Sequence, residues 1–218
     1  GVAGAISLQL AGVNFGVALM SAHNDSQRRW ASVKARATGI SLSGVDGLTV
    51  SGTGLSMDYN SSLGGADAVV DYTSTVLTVG TGGSTSVTMD MAGSQGEVLK
   101  VYGNLTLSAG GFVTTTGNYA FERGSQSLKL ADGSTVTANV VKLGAEGASV
   151  TAGLASGPAM SLTGVNFVLA LVSDSADNTR TWYSLQASAT GGALTGVPNL
   201  SISASDFTLA INHASRVG

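Results

Sequence analysis

The chain has 218 residues, 31 of them Gly, with two Pro, no Cys and a net charge of −3, which suits one large β domain or two smaller ones. Only 11% of residues are charged while 43% are hydrophobic, which excludes a disordered chain rich in charge and Pro. Ten scattered basic residues exclude a nucleic-acid surface, the lack of Cys excludes disulfides and thiolate metal sites, and no apolar run is long enough for a membrane helix.

The opening G-V-A-G-A-I-S has no basic n-region, so it does not read as a signal peptide and looks cut from something longer. Ile6, Leu8 and Leu10 occupy even positions, and Val13, Phe15, Val17 and Leu19 occupy odd ones. That switch of parity at Gly12 predicts a bulge that bends a long strand, with Phe15 resuming burial and Asn14 facing outward or pairing at the bulge. A polar loop, S-A-H-N-D-S-Q-R-R, then leads to a second long strand. Period-two patterning continues through Val33-Ala35-Ala37, Ile40-Leu42, Leu48-Val50 and Leu55-Met57-Tyr59. It returns at Val87-Met89-Met91, Leu105-Leu107 and Leu128-Leu130, after which Asp132-Gly133 supplies the residues of a tight hairpin turn.

From here the chain restates its beginning. L-A-G-V-N-F-G-V-A-L at 10–19 reappears as L-T-G-V-N-F-V-L-A-L at 162–171, and a shift of 152 aligns 10–62 with 162–214 without a gap. About two aligned positions in five are identical, and Gly12 falls on Gly164, Asn14 on Asn166, Phe15 on Phe167, Asp25 on Asp177, Arg28 on Arg180 and Trp30 on Trp182. Residues 1–152 are therefore one full, circularly cut repeat unit, and 153–218 open the next. The best helix candidate, T-R-T-W-Y-S-L-Q-A-S-A, still alternates, with Trp182 and Ser184 on one side and Tyr183 and Leu185 on the other. Phe207-Leu209-Ile211 closes the series. The expectation is an all-β, elongated repeat architecture of long, bent, antiparallel amphipathic strands wrapping one narrow core. A parallel β-solenoid is the alternative, above all over 40–59, where apolar runs are brief and Gly frequent.

The block G-V-N-F-x-x-A-L, D-x-x-R-x-W, A-T-G and L-x-G-V resembles the tandem repeats of giant bacterial secreted and cell-surface proteins, which are adhesin-like. The resemblance covers essentially the whole chain. It implies an extracellular role in adhesion, matrix or envelope structure.

Catalytic patterns are not found. A Ser-His-Asp hydrolase needs a positioned His, yet His23 and His213 are replaced by Ser175 and Ser61 in the other repeat copy. Glu97, Glu122 and Glu146 are spread along the chain rather than paired for glycoside chemistry. Calcium is the one cofactor with any pattern behind it. L-G-G-A-D-A-V-V-D-Y partly matches a G-G-x-G-x-D repeat, and Asp174 and Asp177 could donate oxygens, but Ala22 stands opposite Asp174 and the expectation is no cofactor. Local contacts Asp25–Arg28 and Asp177–Arg180 are the simpler reading of those acids, and Trp30 and Trp182 read as packing anchors ahead of sugar-stacking surfaces. No enzyme is expected. The leading expectation is a structural segment that self-associates through strand edges into a fibre or stalk, with an adhesin module for glycan or another surface ligand as the alternative. An outer-membrane barrel ranks lower because aromatics are only 6%.

Overall fold

The computed structural model describes residues 6–63, 68–154 and 157–216. The chain is all-β, apart from a single 3-10 turn at Gly93–Gln95 among the described residues. Its strands are β1 (Ser7–Ala11), β2 (Asn14–Ala22), β3 (Asp25–Val45), β4 (Leu48–Ser62), β5 (Leu77–Gly80), β6 (Ser86–Met89), β7 (Val98–Ala109), β8 (Val113–Lys129), β9 (Thr135–Gly153), β10 (Ala159–Asp174), β11 (Arg180–Val197) and β12 (Leu200–Arg216). Ten of these form one sheet in the order β1-β3-β4-β7-β8-β9-β10-β11-β12, with β2 continuing the line of β1 beside β3. Every ladder is antiparallel, so the structure is a meander and not a parallel solenoid. The stretch 40–59, where a solenoid is the alternative, lies in two long strands joined by a turn at Asp46 and Gly47.

The meander follows from short connections, since two-residue and similarly tight turns can only return a strand antiparallel to its neighbour. The expected turn at Asp132-Gly133 closes β8 on β9, with Gly133 at φ 87° and the Asp132 carboxylate accepting from the Ser134 amide at 2.9 Å. The first polar loop is shorter than its sequence suggests. β3 already begins at Asp25, which pairs with Ala22, and the ladder resumes at Ser21 and Arg29 after a bulge that takes in Ser26, Gln27 and Arg28.

Directly paired residues share a face, which fixes where the apolar side chains lie. β7 and β8 pair without interruption, so Leu99, Val101, Leu105 and Leu107 lie on one face of the sheet. On β4, Tyr59 and Met57 pair with Leu99 and Val101, whereas Gly52 and Val50 pair with Leu105 and Leu107. Odd and even residues of β4 therefore meet the same face, and the switch occurs at Gly54, at φ 63°. Gly12 plays the same part between β1 and β2 at φ 56°. The parity switch keeps a strand's apolar side on one face across a bend. One row of this face runs Phe15, Ala35, Met57, Val101, Phe121, Leu143, Leu169, Leu185, Ile211 across all nine sheet positions.

No second layer covers this apolar face among the described residues, and the expected single narrow core is replaced by two small clusters. The first joins Ala18 and Met20 of β2 to Tyr72, Met89 and Met91 of the segment between β4 and β7, whose β5–β6 hairpin lies over β2 and β3 on the opposite face. The second gathers Val136, Ala138 and Val140 of β9 with Leu128, Leu130, Val172 and Trp182. Phe15 is 59% exposed, contrary to its expected burial, because β2 is an edge strand with a neighbour on one side only. Phe167, its counterpart on β10, has strands on both sides and is half-buried.

Candidate functional site

The internal repeat extends to the backbone. Asn14 pairs with Arg36 and Asn166 with Ser188, Trp30 pairs with Ser62 and Trp182 with Ala214, so the β2–β3–β4 registers recur in β10–β11–β12. Positive φ recurs too, at Gly12 and Gly164 (56° and 57°), Gly44 and Gly196 (84° and 75°), Gly47 and Asn199 (69° and 61°), and Gly54 and Asp206 (63° and 60°). Asn and Asp tolerate the left-handed region better than most residues, which lets the glycines of the first copy be replaced in the second. At both bulges a threonine locks the bend: Thr38 Oγ1 donates to the Ala11 carbonyl and Thr190 Oγ1 to the Thr163 carbonyl, each at 3.1 Å.

The two copies differ in what covers them. In the first, Ser32 donates to Asn60 at 3.0 Å, Tyr72 OH donates to Ser32 at 2.8 Å, and Asn60 Nδ2 donates to the Val70 carbonyl at 2.8 Å. Ser32 and Asn60 are fully buried beneath that segment. In the second copy Ser184 still donates to Asn212 at 2.8 Å, but Asn212 is exposed. Trp30 donates its indole N–H to the Ala68 carbonyl at 2.9 Å under the Arg28 guanidinium, whose carbon lies 5.4 Å from the ring centroid. Arg180 stacks the same way on Trp182 at 5.3 Å, and Trp182 packs against the second cluster. Cover and stack hold these indoles as parts of the scaffold.

Among the described residues the sheet ends in two free edges, the outer side of β1 and β2 and the outer side of β12. Asn166, on the interior strand β10, shows what the first of these edges looks like when a neighbour occupies it. Its Oδ1 accepts the Gly147 N–H of β9 at 3.0 Å and its Nδ2 donates to the Gly164 carbonyl at 3.1 Å. Asn14 is its repeat equivalent on the free edge, and its Oδ1 is buried from solvent with no hydrogen-bond partner among the described residues. Leu8, Leu10, Val13, Phe15, Val17 and Leu19 stand exposed along the same edge.

Two further arrangements lie on the opposite face. Lys34, Asp58, Lys100, Glu122 and Lys142 are direct cross-strand partners over five strands, so charge alternates along the row. Lys100 and Lys142 approach Glu122 at 3.9 and 3.4 Å, and buried Lys34 is held by Asp90 and lies 4.0 Å from Asp58. Exposed pairs of this kind contribute about 0–1 kcal/mol each and set register more than stability, but Lys34 is buried and losing its partner would cost more. Sequence reading misses this row because its members are far apart in the chain. Next to it, Thr53, Asn104, Asn118, Glu146, Asn166, Ser188 and Thr208 line a shallow groove where the strands bend, its two cavities measuring 530 and 420 Å³.

The remaining sequence candidates sit apart from one another. Asp25 accepts the Gln27 amide at 3.0 Å, and Asp177 accepts from the Thr179 amide and hydroxyl at 3.1 and 2.6 Å, so both carboxylates shape turns. The Arg180 guanidinium bonds Asp174 at 3.0 Å, and Ala22 takes that position in the first copy. His23 is in a turn, and His213, on β12, lies 5.0 Å from the Tyr183 ring. Glu97 accepts from Ser61 and from the Ser62 amide at 3.0 Å. Among the described residues no three His, Asp or Glu side chains cluster as metal ligands, and the G-G-A-D run at 64–67 lies outside the described residues. No helix is long and apolar enough to cross a membrane among the described residues. No protein-family model, no curated protein sequence and no solved structure matches the chain.

Proposed function

We propose that the chain is a structural segment of an extracellular or cell-surface repeat protein that self-associates through its strand edges into a fibre or stalk. One observation carries the reading: the sheet is open at both ends, and its repeat advances it by six strand positions. β1 and β2 share one position, followed by β3, β4, β7, β8 and β9, and β10 restarts the series. Six is even, so a copy of the unit continues the meander with antiparallel pairing and no change of direction. An open edge offers a row of unpaired N–H and C=O groups that recruit another strand unless charge or Pro blocks it. β2 carries no charged residue between Asn14 and Ala22, and β12 carries only Asp206 and Arg216. The extracellular placement rests on the composition and on the resemblance to bacterial surface repeats, and the reading assigns no enzyme activity and no cofactor.

Sedimentation equilibrium across a hundredfold range of concentration tests the proposal. The average mass of the full chain should rise with concentration. A double variant, Phe15→Lys with Ile211→Lys, places a charge on each edge strand and should hold the mass at that of a monomer. A parent chain that stays monomeric at the highest concentration would refute the reading.

A further inference from the structure

We infer that the free edge of β1 and β2 is a docking site for one particular strand, a second copy of β9, in the register that β9 already adopts against β10. The inference deepens the self-association reading and rests on it. It names the partner strand, a β9 that ends its own sheet, since β9 of this chain is already paired with β8 and β10, and the hydrogen bond that selects it.

The two sides of the comparison are both in this chain. β10 is the repeat of β1 and β2, and its outer side is occupied by β9 with Leu162 opposite Val150, Phe167 opposite Ala145, Leu169 opposite Leu143 and Leu171 opposite Val141. The corresponding residues of the free edge are Leu10, Phe15, Val17 and Leu19, the same chemical series at the same spacing. Phe15, Val17 and Leu19 are 59%, 44% and 74% exposed, and a second β9 in this register would set Ala145, Leu143 and Val141 beside them.

Apolar complementarity alone would accept many strands. The polar contact is what discriminates. Between Leu162 and Phe167 the β9–β10 register shifts, and Gly147 of β9, at φ 61°, turns its N–H to the Asn166 side chain. A strand lacking a bulge at this place presents no such N–H. Asn14 Oδ1 has no partner among the described residues and is shielded from water. An unsatisfied buried carbonyl oxygen is costly, and a strand whose N–H meets the Asn14 side chain once it has turned out to the edge, where its counterpart Asn166 stands exposed, removes that cost. The opposite edge, on β12, repeats β4, whose outer neighbour is β7, so the two ends of the sheet require different strands.

The test titrates the full chain with a synthetic peptide of residues 135–153, followed by amide hydrogen exchange and by fluorescence anisotropy of a labelled peptide. Exchange of the outward amides of β1 and β2 should slow at least tenfold at saturation, with β12 amides unchanged. A peptide carrying N-methylglycine at position 147 keeps the freedom of φ but has no N–H, and should bind about tenfold more weakly. With the Asn14→Ala chain the two peptides should bind equally, and thermal unfolding of that variant, whose removed oxygen had no partner, checks that it folds as the parent does. No peptide binding, protection of β12 in place of β2, or equal binding of both peptides to the parent chain would each overturn the docking proposal. The concentration dependence of the full chain's mass tests edge association in general, so failure of the docking proposal and failure of the wider reading are distinguishable.

Discussion

At the scale of single residues, Asp71 joins the two ends of the segment that covers the first repeat. Its carboxylate accepts from the Gly93 amide at 3.0 Å, from Thr73 Oγ1 at 2.7 Å and from the Thr73 amide at 3.1 Å. These bonds, Gly93 first, favour the ionised form and hold the Asp71 carboxyl below its ordinary value of 3.8. A carboxylate whose pKa is depressed by folding adds stability above its unfolded value, and that stability is lost as pH falls below 3.8 through the lower folded value. Hydrogen exchange of the Tyr72 amide, which donates to the Met91 carbonyl at 3.0 Å, should therefore become less protected as pH is lowered through this window. After correction for intrinsic exchange, Asp71→Asn should flatten that dependence, and an unchanged pH profile in the variant would show that another group is responsible. The bond to Gly93 carries no sequence signal because it spans 22 residues, whereas the bonds to Thr73 are a local turn. The identities of Ser32 with Ser184 and Asn60 with Asn212, by contrast, are visible across the repeat, although only the structure shows that Ser32 and Asn60 are roofed by the segment that carries Tyr72.

At the scale of elements, the bulge is where sequence and structure agree most closely. Alternating apolar residues change parity at Gly12 and at Gly164, and both glycines take positive φ there. Each is also sterically closed, because an added Cβ would lie 2.4 Å from Thr38 Oγ1 or Thr190 Oγ1. Gly12→Ala and Gly164→Ala should each destabilise the chain by about 1–3 kcal/mol, from the left-handed backbone and the displaced threonine. At Gly54 φ is 63° but nothing lies within 4 Å of an added Cβ, so Gly54→Ala should cost only the backbone share, about 1 kcal/mol. Urea midpoints at constant m-value measure all three, and equal losses at Gly12 and Gly54 would show that Thr38 yields freely. Alternation reports which residues share a side of a strand, and the repeat reports which strands are equivalent. Neither reports which strand ends the sheet, so the sequence assigns the same burial to Phe15 and Phe167, although only Phe167 has a strand on each side. The covering segment is equally hidden, since Val87-Met89-Met91 has the same period whether it extends the main sheet or lies across it.

At the scale of the whole molecule, the parity of the strand count decides how copies can join. The chain presents nine sheet positions, an odd number, so β1, β2 and β12 all run in one direction. Simple head-to-tail stacking of such chains sets β12 against β2 in parallel, whereas two-fold contacts, β2 to β2 and β12 to β12, keep the pairing antiparallel and alternate along an open filament. Whole units avoid the choice, because six positions return the direction to its start. A chain lengthened by one 152-residue unit should then add six strands at the usual spacing of about 4.8 Å, or roughly 29 Å of sheet. Small-angle scattering at high dilution, with edge lysines to keep the chains apart, should show the maximum dimension growing by about that amount for each added unit, while the cross-sectional radius stays constant. A maximum dimension that grows only as the cube root of mass would mean that added units fold back, packing apolar face against apolar face. The open meander predicts linear growth, since each unit meets the next through a strand edge and leaves both faces as they were.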